Sequence, residues 1–308
     1  MSDRIAPSMY EWSQPVLTIP LTLSSDAAKE ENRAESEDDA RMQPIFSELM
    51  DEFRSPLASA VRELARQVCE VGGPVRILSV MRAGLPIGLA VTKVASLNGR
   101  DLQHGLLGFV RGGSEDLESV SEYVGTTVVV DGWTGSGSTL HEIRRRWRGG
   151  QLFIAAVADP GNFCDIAGTH EDLMCPHAVL QRTMSLGLGR LHVNSEGHAV
   201  TTLTESDPSM LSEYVAQLVS DQTTSGPVAQ ESELSALELA TAPSTFREQS
   251  NGRLGINECW RAFARGELRA LIVDDKANES KSVTMLLAIA GLPVLNADIG
   301  TYACVGVV

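Results

Sequence analysis

Three short aliphatic runs, at 75–80, 126–130 and 152–158, constrain this chain more than any other feature. Each is rich in Val, Ile or Leu and nearly unbroken, the pattern of a strand buried on both faces of a parallel sheet. Helix-compatible segments separate the runs, as parallel crossovers require, so the expected class is alternating α/β. Ahead of them, Ile45, Leu49, Phe53, Leu57, Val61, Leu64 and Val68 recur every three or four residues and predict one helix face over 44–70. Ser55-Pro56 predicts a break there, with Ser55 as cap and Pro56 in the first turn. A further amphipathic stretch, Met210, Leu211, Tyr214, Val215 and Leu218, closes this region.

With 308 residues the chain has room for about two domains. The boundaries drawn from composition are an acidic N-terminal segment 1–41, a first domain 42–222, a linker 223–245 and a small α/β domain 246–308. The formal net charge is −15, which argues against a general nucleic-acid or membrane-surface binder. That charge is concentrated. Segment 26–41 holds seven acids against three bases, and 201–245 holds seven acids with no Lys or Arg. The regions between and after them are close to neutral.

Five cysteines (Cys69, Cys164, Cys175, Cys259 and Cys304) are scattered and never spaced CxxC, which fits a reducing compartment rather than a disulfide framework. The opening MSDRIAPSMYEW has no apolar signal region, and no apolar run approaches the ~18 residues of a membrane span. A cytoplasmic protein without membrane partners is expected.

The most specific local signal is TVVVDGWTGSGST at 127–139. A hydrophobic strand ends in Asp131, a loop of small and hydroxyl residues follows (Thr134, Gly135, Ser136, Gly137, Ser138, Thr139), and a helix begins near Leu140. Loop N–H groups and the positive end of the next helix make a phosphate cradle. No Lys follows Gly137, which excludes a P-loop, and Leu140 stands where a dinucleotide fingerprint needs its third Gly.

An acid at a strand end followed by such a loop resembles the 5-phosphoribosyl-1-pyrophosphate (PRPP) motif of type I phosphoribosyltransferases. The segment RILSVMRAGLPIG at 76–88 resembles the same family's pyrophosphate loop at Arg82, Ala83 and Gly84. Between them 108–125 is similar to the family's mobile hood, with Arg111 as its pyrophosphate contact. The resemblance implies a type I phosphoribosyltransferase-like sheet flanked by helices. It also implies Asp131 on the ribose hydroxyls, Asp159 as acceptor-side contact or base, PRPP and a nucleobase-like or small-metabolite acceptor as substrates, and pyrophosphate release. Mg²⁺ would arrive with PRPP near Asp131, with no direct protein metal site, and a homodimer is expected. The family usually has two adjacent acids where this chain has Asp131 and Gly132. A PRPP- or nucleotide-sensing or RNA-binding regulatory protein without turnover is therefore the alternative.

Segment 157–179 adds Asp159, His170, Glu171, Asp172 and His177 as acids, bases or metal ligands, against a turn-forming Asp-Pro-Gly string. Cys175 and His177 open a second alternative, a thiol hydrolase. DGWTGSGST, RAGLPIG and GTHEDLMCPHAV together are similar to the phosphoribosyltransferase-like proteins of bacterial tellurium-resistance-type gene clusters, the StiP family, some of which carry a cysteine-protease label. Trp133 either walls the sugar site or packs in the core. The run Arg144, Arg145, Arg146, Trp147, Arg148 reads as a solvated helix end rather than an RNA patch.

GINECWRAFARGELRALIVDD at 255–275 resembles the RNA-binding domain of the L7Ae/Pelota type. Position by position, Gly255, Asn257 and Glu258 match that family's helix start, and Arg261 stands where Lys is usual. The resemblance implies RNA as a partner, or a degenerate domain serving in packing.

Overall fold

The computed structural model describes residues 17–18, 22–23, 28–110, 117, 123–194, 199–201, 207–221, 252–275 and 280–308, with side chains from residue 40 onward. Arg111, most of the 108–125 hood and the 223–245 linker lie outside the described residues.

The main sheet is parallel throughout. Its central strands are β3 (Val75–Val80), β4 (Gln103–Leu107), β5 (Thr126–Trp133), β6 (Leu152–Ala158) and β7 (Ile166–Thr169), in the order β4-β3-β5-β6-β7. The two-residue β1 (Leu17–Thr18) pairs with the outer edge of β4. Thr22–Leu23 forms β2, a strand of a separate small sheet with β8 (His192–Val193) and β9 (Ala199–Thr201). In β5, Val128 and Val130 enter one apolar cluster while Val129 enters another; β6 repeats this with Ala155 and Val157 against Ile154. Both faces of the sheet are covered, which is why these strands read as continuous aliphatic runs.

One face carries α1 (Ala28–Glu70), α2 (Gly84–Leu97) and α4 (Ser209–Ser220); the other carries α3 (Ser138–Arg146). Leu49, Leu57, Val61, Leu64 and Val68 of α1 are fully buried, as their spacing requires. The expected break at Ser55-Pro56 is absent, and α1 runs through Pro44 and Pro56. A mid-helix proline forfeits one ladder hydrogen bond. Here buried neighbours on both sides, Met50, Leu57 and Ala58, hold the axis together.

The C-terminal segment builds a mixed sheet from β10 (Gly252–Leu254), β11 (Ala270–Val273), β12 (Val294–Asn296) and β13 (Val305–Val307), in the order β10-β13-β11-β12. Helices α5 (Ile256–Ala264) and α6 (Lys281–Ala290) accompany it. Its apolar face is not separate from that of the main sheet. Ile256, Cys259, Trp260, Leu271 and Val283 belong to the same buried cluster as Leu49 and Val130. Among the described residues no helix is long and apolar enough to cross a membrane.

Candidate functional site

A cleft of about 580 Å³ opens at the carboxyl ends of β3 and β5, where parallel sheets gather ligands. The main sheet lines it with Arg82, Asp131, Trp133 and the loop Thr134, Gly135, Ser136, Ser138 and Thr139; the C-terminal segment closes it with Arg253, Leu254, Glu258 and Arg261. Ala83 is also in the lining, and Arg190 completes one wall.

The loop is held from several sides. The Thr134 N–H donates to the Ala158 carbonyl (3.2 Å) and its own carbonyl accepts from Gly137 N–H (2.8 Å). Gly137 caps α3 with φ 69°, a left-handed conformation suited to glycine, and Phe163 packs where a Cβ would project. From the C-terminal segment, the Tyr302 hydroxyl donates to the Gly135 carbonyl at 2.8 Å.

Asp131 lies in the cleft floor and accepts from the Gly132 N–H at 2.7 Å. Burial pushes its carboxyl up to about 7 from an ordinary 3.8, against the pull of that N–H and of Arg261; Glu258 adds to the rise. The sign follows. Between pH 3.8 and about 7 the folded state keeps a proton that the unfolded chain has released, so stability falls as pH rises through this window. Asn at 131 keeps the acceptor and loses the charge. Asp131→Asn is therefore expected to exceed the unsubstituted protein in stability at pH 8 by on the order of a few kcal/mol, with the difference vanishing towards pH 4. Thermal melts of both proteins across that range check it.

No second acid fits beside Asp131. A Cβ on Gly132 would stand 2.9 Å from the Ala83 carbonyl oxygen and 3.1 Å from His177 Nε2. Asp159 is also not in the cleft lining. It is fully buried, its two carboxylate oxygens accepting from Phe163 and Cys164 N–H at 2.9 Å each, and its carbonyl meets His170 Nδ1 at 3.1 Å. It pins the loop that follows β6. This is the turn role that its Asp-Pro-Gly string suggested, and it replaces the expected acceptor contact.

Cys175 and His177 both lie against Gly132 and are outside the lining of the cleft. Cys175 Sγ is 3.9 Å from the Gly132 carbonyl oxygen, and the His177 imidazole reaches the same glycine. Nε2 lies 3.0 Å from the Ala83 carbonyl, which only accepts, so Nε2 carries the proton; Nδ1 then accepts from the Tyr214 hydroxyl at 2.8 Å. Burial holds His177 down at about 4, hence neutral, and burial with Asp172 and Asp131 nearby pushes the Cys175 thiol well up. In this arrangement the thiol is protonated and both imidazole nitrogens are engaged.

Other residues singled out in the sequence have structural partners. His170 and Glu171 are exposed. Asp172 accepts from Ile256 and Ala303 N–H at 2.9 Å each, and burial lifts its carboxyl to about 6 despite them. Among the described residues no group of three or more His, Cys, Asp or Glu side chains is placed to hold a metal. Trp133 is buried and donates to Glu258 at 2.8 Å. Arg144 pairs with Asp165 at 2.8 Å, and Arg148 caps carbonyls of its own helix end.

Gly255, Asn257, Glu258 and Arg261 point inward. Asn257 is 1 % exposed and bonds Cys175 N–H and the Leu173 carbonyl, while a Cβ on Gly255 would meet Asp172. Burial raises the Glu258 carboxyl, but Arg261, the Trp133 indole and Arg265 outweigh it and hold it below the usual range. Arg190 and Arg265 were not legible as site residues. The available signal was the i, i+4 spacing of Arg261 and Arg265, which puts two cations on one helix face.

A family model described as "Tellurite-like stress resistance cysteine protease StiP" matches residues 27–217. The curated "Cysteine protease StiP" of Acinetobacter baylyi is 28 % identical over 158 residues, which is 47 % of this chain and 41 % of that protein. The match thus spans less than half the relative's length. An HGPRT-ase from Leishmania tarentolae in complex with GMP aligns with 37 % of this chain and 72 % of its own, at 14 % identity and TM-score 0.31. An asparagine mutant made to analyse an invariant aspartic acid in HPRTs aligns with 38 % and 75 %, at 12 % identity and TM-score 0.30. Likenesses that slight carry no argument. The expected transfer of a phosphoribosyl group from PRPP is corrected by the first two findings, which name a cysteine protease, a hydrolase and not a glycosyltransferase. The crowding at Gly132 agrees, because it bars the family's second ribose-binding acid.

Proposed function

Since this chain belongs to the StiP family, described as one of cysteine proteases, we propose that it is a thiol hydrolase with Cys175 as nucleophile and the cleft above Gly132 as its substrate site. The observation that carries this is the convergence of Cys175 and His177 on Gly132, which lies between the cleft-lining Asp131 and Trp133. The other thiols have poorer surroundings. Cys259 and Cys304 are buried against each other, Cys69 lies on α1, and Cys164 hydrogen-bonds Asp159, a carboxylate that opposes a thiolate.

The described arrangement is then a resting one. Attack needs the segment around Cys175 to move out of its apolar surroundings and His177 to exchange its Ala83 or Tyr214 partner for the thiol. Asn257, which binds the Cys175 N–H, is the restraint on that motion. In the step itself, sulfur bonds to the substrate carbonyl carbon while the thiol proton passes to His177. The carbon–nitrogen bond breaks as that proton goes to the leaving amine. Water then cleaves the thioester, which restores the thiol and releases the acid.

Hydrolysis of fluorogenic peptides should fall by about 10³-fold or more in Cys175→Ala and persist in Cys164→Ala. Hydrolysis undiminished by Cys175→Ala, or no thiol-dependent hydrolysis at all, would sink the reading.

A further inference from the structure

The C-terminal sheet ends in an apolar edge strand. β12 pairs in parallel with β11, Val294 beside Leu271 and Leu295 beside Ile272, and among the described residues no strand lies on its outer side. The neighbours fix the faces. Leu271 belongs to the large core cluster and Ile272 to a small separate one with Ile299 and Val305, so Val294 and Leu295 point to opposite faces of the sheet. On β11 the two residues are 0 % and 8 % exposed; on β12 their counterparts are 45 % and 57 % exposed. Soluble proteins usually guard such an edge with charge, yet residues 291–297 (GLPVLNA) carry no charged side chain. Pro293 does not block the outer side, because its carbonyl accepts from the Leu271 N–H at 3.0 Å and so faces β11.

The backbone parity of β12 restricts what can join it. At its far end the Ala297 N–H donates to the Val273 carbonyl at 2.9 Å. Pro293, Leu295 and Ala297 thus turn their main-chain groups towards β11, and Val294 and Asn296 turn theirs outward. A second β12, antiparallel and related by a two-fold axis at Leu295, sets Val294 against the partner's Asn296 and Asn296 against the partner's Val294. Every outward N–H and C=O of these residues then finds an acceptor or donor. Leu295 comes directly opposite the partner's Leu295, at a position where Cβ atoms approach to about 4.5–5.5 Å. Charge is compatible with this register. Asp298 comes opposite the partner's uncharged Leu292, which keeps the two Asp298 carboxylates about 20 Å apart, beyond the ~10 Å Debye length.

We propose that β12 is a homodimer interface, at which two copies of this chain join their C-terminal sheets edge to edge across Leu295. The strand is its own complement in parity, apolar centre and charge, which an unrelated segment would have to match point by point. Pairing consumes both copies of β12, so the assembly closes as a dimer and does not propagate. Three residues a side bury less than the ~1,200 Å² of a standard interface, so the dimer is weak and concentration-dependent. The surface lies outside residues 27–217, which carry the family match, and it is measured without turnover, so it stands independently of the hydrolytic reading.

The test is sedimentation velocity of the full chain from micromolar to near-millimolar concentration, where monomer and dimer should exchange. Leu295→Lys sets two cations face to face at the axis and should weaken association about tenfold or more. It should fold, since Leu295 is more than half exposed. Leu97→Lys, at the exposed end of α2, should leave association unchanged. The register is tested by mild oxidation with diamide. Leu295→Cys should give a covalent dimer above the background of the unsubstituted chain, and Asp298→Cys should not. A chain that stays monomeric throughout, a dimer that survives Leu295→Lys, or equal cross-linking through positions 295 and 298 overturns the interface.

Discussion

Gly84→Ala is expected to destabilise the protein by about 3 kcal/mol or more, enough to empty the soluble fraction of a marginal fold. Gly84 opens α2 directly against β5. An added Cβ would lie 2.2 Å from the Val130 carbonyl oxygen and 3.2 Å from the Asp131 Cα. Neither obstacle is a side chain that could swing away. Val130 is paired on both sides, with Ser79 of β3 and Ala155 of β6, so relief requires moving α2 off the sheet. That shift would also displace Arg82 and Ala83 from the cleft. Gly72→Ala is the control: nothing lies within 4 Å of its Cβ, and its stability should hardly change. Chemical denaturation of the two variants decides, and a Gly84→Ala loss below about 1 kcal/mol would contradict the packing described.

Asn257→Ala should cost about 2–5 kcal/mol, because it strands a buried N–H and a half-buried carbonyl at once. Its Oδ1 accepts from Cys175 N–H at 2.7 Å and its Nδ2 donates to the Leu173 carbonyl at 2.8 Å. Replacing one buried partner exposes the others' full desolvation cost, which exceeds the net worth of the bonds. Asn257→Asp sharpens the measurement. It keeps the acceptor for Cys175 but sets a carboxylate against the Leu173 carbonyl, and should be at least as damaging at pH 8. The same change loosens the segment that carries Cys175. On the hydrolytic reading, alkylation of that thiol should therefore speed up in Asn257→Ala, while alkylation of Cys69, distant on α1, stays constant.

Much of the main sheet was legible because its signals are local. The runs at 75–80 and 152–158 coincide with β3 and β6, and the helix after the small-residue loop begins at Ser138. β4 and β7 were missed for a physical reason. Gln103–Leu107 contains Gln, His and Gly, and Ile166–Thr169 is four residues long. Their strand character comes from pairing with β3 and β6 rather than from their own composition. Pro56 misled because the breaker is local while the packing that carries α1 across it is not.

For the site the division is sharper. Asp131 at the end of β5, the small-residue loop and Arg82 were readable as neighbours, since strand order in an α/β pattern brings carboxyl ends together. The sequence by itself determined the class of fold, the faces of its helices and the position of the cleft. These follow from periodicity and from residue types acting over a few positions. The tertiary structure alone decided what the residues do. It turned Asn257 and Glu258 inward, put Cys175 and His177 against Gly132, and set Arg265 near Arg261 and Arg190. The partner that fixes Asn257 lies 82 positions away, that of Glu258 125 away and that of Cys175 43 away, and no local pattern encodes such pairings.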